Sequence, residues 1–248
     1  MKRIILSLSL LAIVLGGHAQ ERKVQNRPYT DLREFHFGVL VGTHLQDLEL
    51  NNVGPQMIDL EDGNGLVEKT ISADQDRWDA GFTVGVLGEL RLNSTFQLRM
   101  APAMYFGTRH LIFRNITDLN AQGEPTEQVQ ELKTAYISCA FDLIAAAPRF
   151  NNHRPYVMLG LNPMINLSGK DNDYIKLKRS DVFVEVGLGC DFYLPYFKLR
   201  PELKFMYSLT NSLDKSHAKN LQDKNMLMYT NSVNETRAKM IALTFYFE

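Results

Sequence analysis

From Phe35 the chain alternates. Phe35, Phe37, Val39 and Val41 stand against Glu34, His36, Gly38, Leu40 and Gly42. Seven later segments keep the same period of two. Phe82, Val84, Val86, Leu90 and Leu92 face away from Gly81, Thr83, Gly85, Glu89 and Arg91. Phe96, Leu98, Met100, Met104 and Phe106 oppose Gln97, Arg99, Ala101, Ala103 and Tyr105. Ile137, Cys139, Phe141 and Leu143 oppose Tyr136, Ser138, Ala140 and Asp142. Val157, Leu159, Leu161, Ile165 and Leu167 follow, then Val182, Val184, Val186, Leu188, Cys190 and Phe192 against Glu185, Gly187, Gly189, Asp191 and Tyr193. Phe197, Leu199, Leu203 and Phe205 oppose Lys198, Arg200, Glu202 and Lys204, and Ile241, Leu243, Phe245 and Phe247 close the chain. A period of two is the signature of strands with one apolar side.

The connections sort by length. They are short at Asn93-Ser94, near Arg149 to His153 and near Pro195-Tyr196. They are long at about His44 to Asp79, Asn115 to Glu131, Gly169 to Ser180 and Asn211 to Asn234. Strict alternation of short turns and long loops is the habit of outer-membrane barrels, with turns in the periplasm and loops outside. The pattern therefore predicts an all-β fold, an eight-stranded antiparallel transmembrane up-and-down β-barrel over residues 34–248. An even strand count puts both termini in the periplasm and the protein in the cell outer membrane. Pro102, Pro163 and Pro201 fall inside strand segments, where they mark bulges or strand ends, because proline cannot donate to a ladder.

The first residues change the picture of how the chain travels. Lys2 and Arg3, the apolar run Ile4 to Leu15 and the small residues around Ala19 read as a signal peptide over residues 1–19. Residues 20–33 are then a periplasmic N-terminal segment. No later apolar run approaches the length of a membrane helix. Net charge is −1, so nothing marks nucleic acid as a partner.

With the apolar parity toward lipid, the other parity lines the lumen. It carries Glu89, Arg91, Arg99, Asp142, Glu185, Asp191, Lys198, Arg200, Glu202 and Lys204, five acids and five bases. The interior of an eight-stranded barrel is just wide enough for side chains to fill, and buried charges must pair. These residues predict a lumen closed by ion pairs, chiefly in its periplasmic half, with Gly81, Gly85, Gly160, Gly187 and Gly189 making room. Tyr193, Tyr196, Phe197, Tyr246 and Phe247 gather at the periplasmic boundary and are expected to form an interfacial girdle.

Candidate chemistry adds little. A barrel hydrolase would use His44, His110 or His217 near a rim, but no nucleophile signature surrounds them, so no enzyme and no catalytic residue is expected. Asp59, Glu61, Asp62, Gly63, Asn64 and Gly65 hint at a calcium loop, yet the twelfth position is Thr70 where glutamate is required. No metal, no cofactor and no small-molecule substrate is expected. Cys139 and Cys190 lie on strands two apart, at about 9.5 Å from the strand spacing, too far for a bridge, and are expected to be free and lipid-facing.

The wording of several stretches carries a resemblance. DLREFHFGVLVG (Asp31 to Gly42), DAGFTVGVLGELRLNSTFQLRMAPAMYFGTRHLIF (Asp79 to Phe113), NNHRPYVMLGLN (Asn151 to Asn162), VFVEVGLGCDFYLPYFKLRPELKFMYSLTNSL (Val182 to Leu213) and the ending TFYFE are similar to the PorT family of outer-membrane barrels in Bacteroidetes. The resemblance implies an accessory or assembly role in the type IX secretion system, which exports cargo with C-terminal signal domains and, in gliding relatives, surface adhesins. Its partners would be the lipid bilayer and other outer-membrane or periplasmic components of that machine, met through residues 44–79, 211–234 or 20–33. A stand-alone surface adhesin or ligand-binding barrel is the alternative. Many such barrels end on the aromatic itself; here Glu248 follows Phe247.

Overall fold

A computed structural model of the chain describes residues 24–59, 66–169, 173–219, 221 and 226–248. The signal peptide and most of the Asp59 to Gly65 run lie outside the described residues. Among those described there are ten strands: β1 (Phe35–Asn52), β2 (Pro55–Asp59), β3 (Leu66–Asp74), β4 (Asp79–Arg91), β5 (Phe96–Leu119), β6 (Pro125–Ala146), β7 (His153–Asn166), β8 (Ser180–Tyr193), β9 (Lys198–Ser208) and β10 (Val233–Phe247). A single turn of helix, α1 (Leu227–Thr230), precedes the last strand. Every pairing is antiparallel. The order β1-β4-β5-β6-β7-β8-β9-β10 returns to β1 through pairs such as Val39–Phe247 and closes a ring of eight. No helix among the described residues is long and apolar enough to cross a membrane.

The apolar parity is on the outside of that ring. Phe37, Val39, Phe82, Val86, Phe141, Leu159, Leu161, Leu188 and Phe205 are all about half exposed or more, while their chain neighbours are buried or, at Gly38, Gly81, Gly85 and Gly189, half-buried. On β5 the band runs from Phe96 to Phe106, roughly ten residues, the length a tilted strand needs to cross a bilayer.

The strands do not stop where the band does. β1 continues to Asn52, and β5 and β6 form one tall hairpin that turns only at 120–124. The stretches His44 to Asp79 and Asn115 to Glu131, expected as loops, are thus largely sheet. Their outward positions become polar above the band (Asp47, Glu49, Arg114, Glu127), so the apolar signal ends although the ladder goes on. The β2–β3 hairpin fills the wall above β4: Ile71 pairs with Asn115, and Asn52 at the end of β1 clasps Ala73 through both its amide groups at 3.0 and 2.9 Å.

The prolines correct a second expectation. Pro102, Pro163 and Pro201 lie inside continuous strands with no shift of register. Each faces a gap in one ladder only: β4–β5 skips the pairs between Gly85–Ala103 and Gly88–Met100, β6–β7 those between Ser138–Met164 and Phe141–Leu161, and β8–β9 those between Gly189–Glu202 and Phe192–Leu199. On the other side pairing persists, as in Pro102–Cys139, Pro163–Val182 and Pro201–Phe245. A missing N–H removes ladder bonds toward one neighbour and leaves the other intact.

Candidate functional site

The lumen at the short-turn end is filled by charge. Glu202, on β9, is its centre. It accepts from the Arg99 guanidinium at 2.8 and 3.1 Å, from the Tyr156 hydroxyl at 2.6 Å and from the Tyr246 hydroxyl at 2.9 Å. Arg99 crosses the lumen from β5 to reach it and lies over the Tyr246 ring at 4.4 Å, an arrangement that lets an aromatic face share a buried cation. Arg200 donates to Asp191 at 2.5 Å and, from the opposite wall, to Glu89. Lys204 meets Glu185 at 3.3 Å, and Asn162 donates to the same carboxylate at 3.0 Å. Asp142 stands 3.8 Å from Arg99. Arg99, Asp142, Glu185, Asp191 and Arg200 have no solvent exposure at all.

Nine of the ten lumen charges read from the sequence are therefore brought together. Arg91 is not. It is partly exposed at the rim, where its guanidinium donates to the carbonyls of Asn93 at 3.3 Å and Leu32 at 3.4 Å. β4 ends at Arg91, so its side chain has no lumen left to enter. Glu248 is absent from the ten and takes part: its carboxylate meets Lys198, lies 3.2 Å from Arg200 and 3.6 Å from His36. With Tyr246 inward and Phe247 outward, parity carries residue 248 back inside. Tyr193 and Tyr246 are fully buried rather than interfacial, which overturns the girdle for those two residues; Tyr196, Phe197 and Phe247 do face outward. Among the inward glycines, a Cβ at Gly160 would collide with the Asp142 carboxylate and one at Gly189 with the Tyr156 ring.

Both mouths are covered. At the short-turn end the N-terminal segment lies across the opening. Asn26 bonds Asn152 at 2.9 Å and the Tyr193 carbonyl at 3.0 Å, and Arg27 reaches the Glu248 carbonyl at 3.0 Å. The Tyr193 hydroxyl donates to Asp31 at 2.6 Å, and Arg149 stacks on the Tyr193 ring at 3.6 Å. At the other end the lumen turns apolar. Inward Leu48, Ile71, Leu111, Phe113 and Leu132 pack against Ile175 and Leu177 from the β7–β8 loop and Leu213 and Tyr229 from the β9–β10 loop. Phe113, Tyr174 and Tyr229 form a triangle of rings with centroids 4.8 to 5.6 Å apart. Burial of this kind contributes about 25 cal/mol per Å² of apolar surface.

The model of the outer membrane protein beta-barrel domain matches residues 18–214. The chain belongs to that family. Among solved structures it is similar to Neisserial surface protein A (12% identity, TM-score 0.41, 86% of this chain and 98% of the other). It is likewise similar to OprG of Pseudomonas aeruginosa (11%, 0.46, 86% and 94%) and to Ail, the attachment invasion locus protein of Yersinia pestis (11%, 0.38, 87% and 99%). No curated protein matches it in sequence.

As an outer-membrane barrel the chain presents its outward band to lipid, and Cys139 and Cys190 sit on that outer wall as free, partly exposed thiols. The histidines with catalytic potential each have a different partner. His44 is buried with Nδ1 3.0 Å from the Thr83 hydroxyl, His110 contacts Asp79 at 2.9 Å, and His217 faces the Asp173 carbonyl at 2.6 Å. Among the described residues no cluster of His, Cys, Asp and Glu has the grouping of a metal site.

Proposed function

We propose that this outer-membrane barrel serves type IX secretion as a non-catalytic assembly or accessory component, with both termini in the periplasm. The observation that carries the reading is the PorT-like wording from Asp31 to the C-terminal TFYFE. The filled lumen supports it. A channel would need an open path, whereas here ion pairs, an N-terminal strap and an apolar cap occupy the bore, so the protein acts through its surfaces. The partners in this reading are the bilayer and other components of the machine. Residues 44–79 and 211–234 would meet them outside, and residues 20–33 would meet them in the periplasm.

The test is a clean deletion in the native host, with mass spectrometry of secreted and periplasmic fractions. Cargo bearing C-terminal signal domains should accumulate in the periplasm and return to the surface on complementation. An unchanged secreted set would sink the proposal and favour the stand-alone adhesin, whose phenotype should persist in a strain lacking the secretion machine.

A further inference from the structure

Above the level of Ala135, β6 pairs with one strand only among the described residues, β5. Its ladder to β7 ends at Tyr136–Asn166, and the last contacts beyond it are Leu167 N–H to the Ala135 carbonyl at 2.8 Å and Ala135 N–H to the Ser168 hydroxyl at 3.2 Å. These bonds fix the direction of the odd-numbered backbone groups, which point away from β5. Ala146 and Ala147 confirm the parity, the first donating to Thr95 beside β5 and the second to Pro155 on β7. The N–H and C=O groups of Glu127, Val129, Glu131 and Lys133 therefore line a free edge, and they have no backbone hydrogen bond among the described residues. All four residues are exposed, Val129 at 58%.

We infer that this edge of β6 accepts an extended segment of another protein as an added antiparallel strand. Unpaired backbone groups on a rigid strand are a template for such addition. The outward side chains state which segment fits. Across β5, Glu127 already meets Arg114 at 2.8 Å, Val129 lies opposite Ile112, and Glu131 is 3.8 Å from His110. An incoming strand completes each row from the open side, with a cation beside Glu127, an aliphatic side chain beside Val129, a cation beside Glu131 and an anion beside Lys133. Read antiparallel, the pattern is Glu-x-Lys-x-Val-x-Lys. A second copy of this chain does not fit. Two barrels sharing one membrane orientation bring their β6 edges parallel, with Glu127 and Glu131 against their own copies, and like charges directly opposite are unfavourable. The inference stands apart from the secretion role, since binding to purified barrel is measured without the machine.

The test uses full-length protein folded in detergent and a fluorescent peptide Thr-Glu-Thr-Lys-Thr-Val-Thr-Lys-Thr, followed by anisotropy and amide exchange. The peptide should bind and slow exchange at Glu127, Val129, Glu131 and Lys133. Val129→Pro removes one edge N–H without touching the β5 ladder and should weaken binding by about tenfold or more. A peptide with Lys and Glu exchanged should also bind more weakly. A peptide N-methylated at the alternate amides that face the edge should lose binding to the unaltered barrel, which keeps the test independent of how the proline variant folds. Absence of binding by the first peptide, or equal binding by the N-methylated one, would overturn the inference.

Discussion

Arg200→Met is the sharpest probe of the filled lumen. Arg200 is fully buried, and three carboxylates face it: Asp191 at 2.5 Å, Glu248 at 3.2 Å and Glu89. Two cations remain nearby, Arg99 at 3.6 Å from Glu89 and Lys198 at 4.0 Å from Asp191 and in contact with Glu248, but neither replaces the direct hydrogen bonds that Arg200 gives to Glu89 and Asp191. Methionine keeps much of the volume, so the loss is electrostatic. Removing one member of a buried ion pair costs about 3–5 kcal/mol, because the partner stays behind uncompensated. That is roughly a hundred- to a few-thousand-fold in the folding equilibrium. Urea titration in phospholipid vesicles measures it, with Trp78, the single tryptophan of the chain, reporting from an outer-wall groove beside Phe205 and Ile241. Arg91→Met at the rim is the control and should stay within about 0.5 kcal/mol. Adding Glu89→Gln and Asp191→Asn to Arg200→Met should recover about half the loss or more. If Arg200→Met costs no more than Arg91→Met, the lumen is wet enough to screen its charges and the reasoning fails.

Three further outcomes are expected. Gly160→Ala places a methyl against Asp142 and should cost about 1–3 kcal/mol in the same assay, as overpacking does, whereas an alanine at the exposed turn glycine Gly123 has open space around it, and only its φ of +81° strains it. Deleting Glu248 should lower the urea midpoint and leave the apparent barrel content by circular dichroism unchanged, because it removes an ion-pair partner of Lys198 and not a ladder strand. In the cap, the Ser216 hydroxyl donates to Asp214 at 2.6 Å and holds its carboxyl below the usual range. A carboxylate depressed in the fold stabilises above its unfolded value and loses that contribution as pH falls through its folded value. Ser216→Ala should therefore shift the Asp214 titration, followed by carbon NMR, to higher pH.

Parity alone makes most of this lumen legible in the amino-acid sequence. Glu89, Arg99, Asp142, Glu185, Asp191, Lys198, Arg200, Glu202 and Lys204 all fall on the inward set, and period two has no third direction to send them. The same rule suffices for Tyr193, Tyr246 and Glu248; placing the two tyrosines by their position along the chain instead of by parity is what yields a girdle. Arg91 shows where parity stops informing: at a strand's last residue the wall opens and a long side chain goes to water. The height of the sheet is hidden because above the bilayer the outward parity turns polar, as at Asp47, Glu49, Arg114 and Glu127, while the apolar residues such as Leu48, Leu111, Phe113 and Leu132 move to the inward parity. The cap is hidden for another reason, since Tyr174, Ile175, Leu213 and Tyr229 come from irregular segments whose burial is decided by the space they enter.

The ion pairs that span the bore also constrain how the wall can enter a bilayer. Asp191–Arg200 and Glu185–Lys204 join adjacent strands and can form in an open sheet. Arg99–Glu202 and Arg200–Glu89 cannot: they bridge residues 103 and 111 apart in sequence, on strands that face each other only once β1 and β10 have met. A half-closed sheet would carry Arg99 and Glu89 into hydrocarbon without Glu202 and Arg200, left with the looser contacts of Arg99 to Glu89 at 3.6 Å and to Asp142 at 3.8 Å, and burying charge so weakly compensated costs several kcal/mol. Ring closure therefore precedes or accompanies crossing, and the bore's wiring acts as a checkpoint that admits the finished cylinder and turns back its fragments.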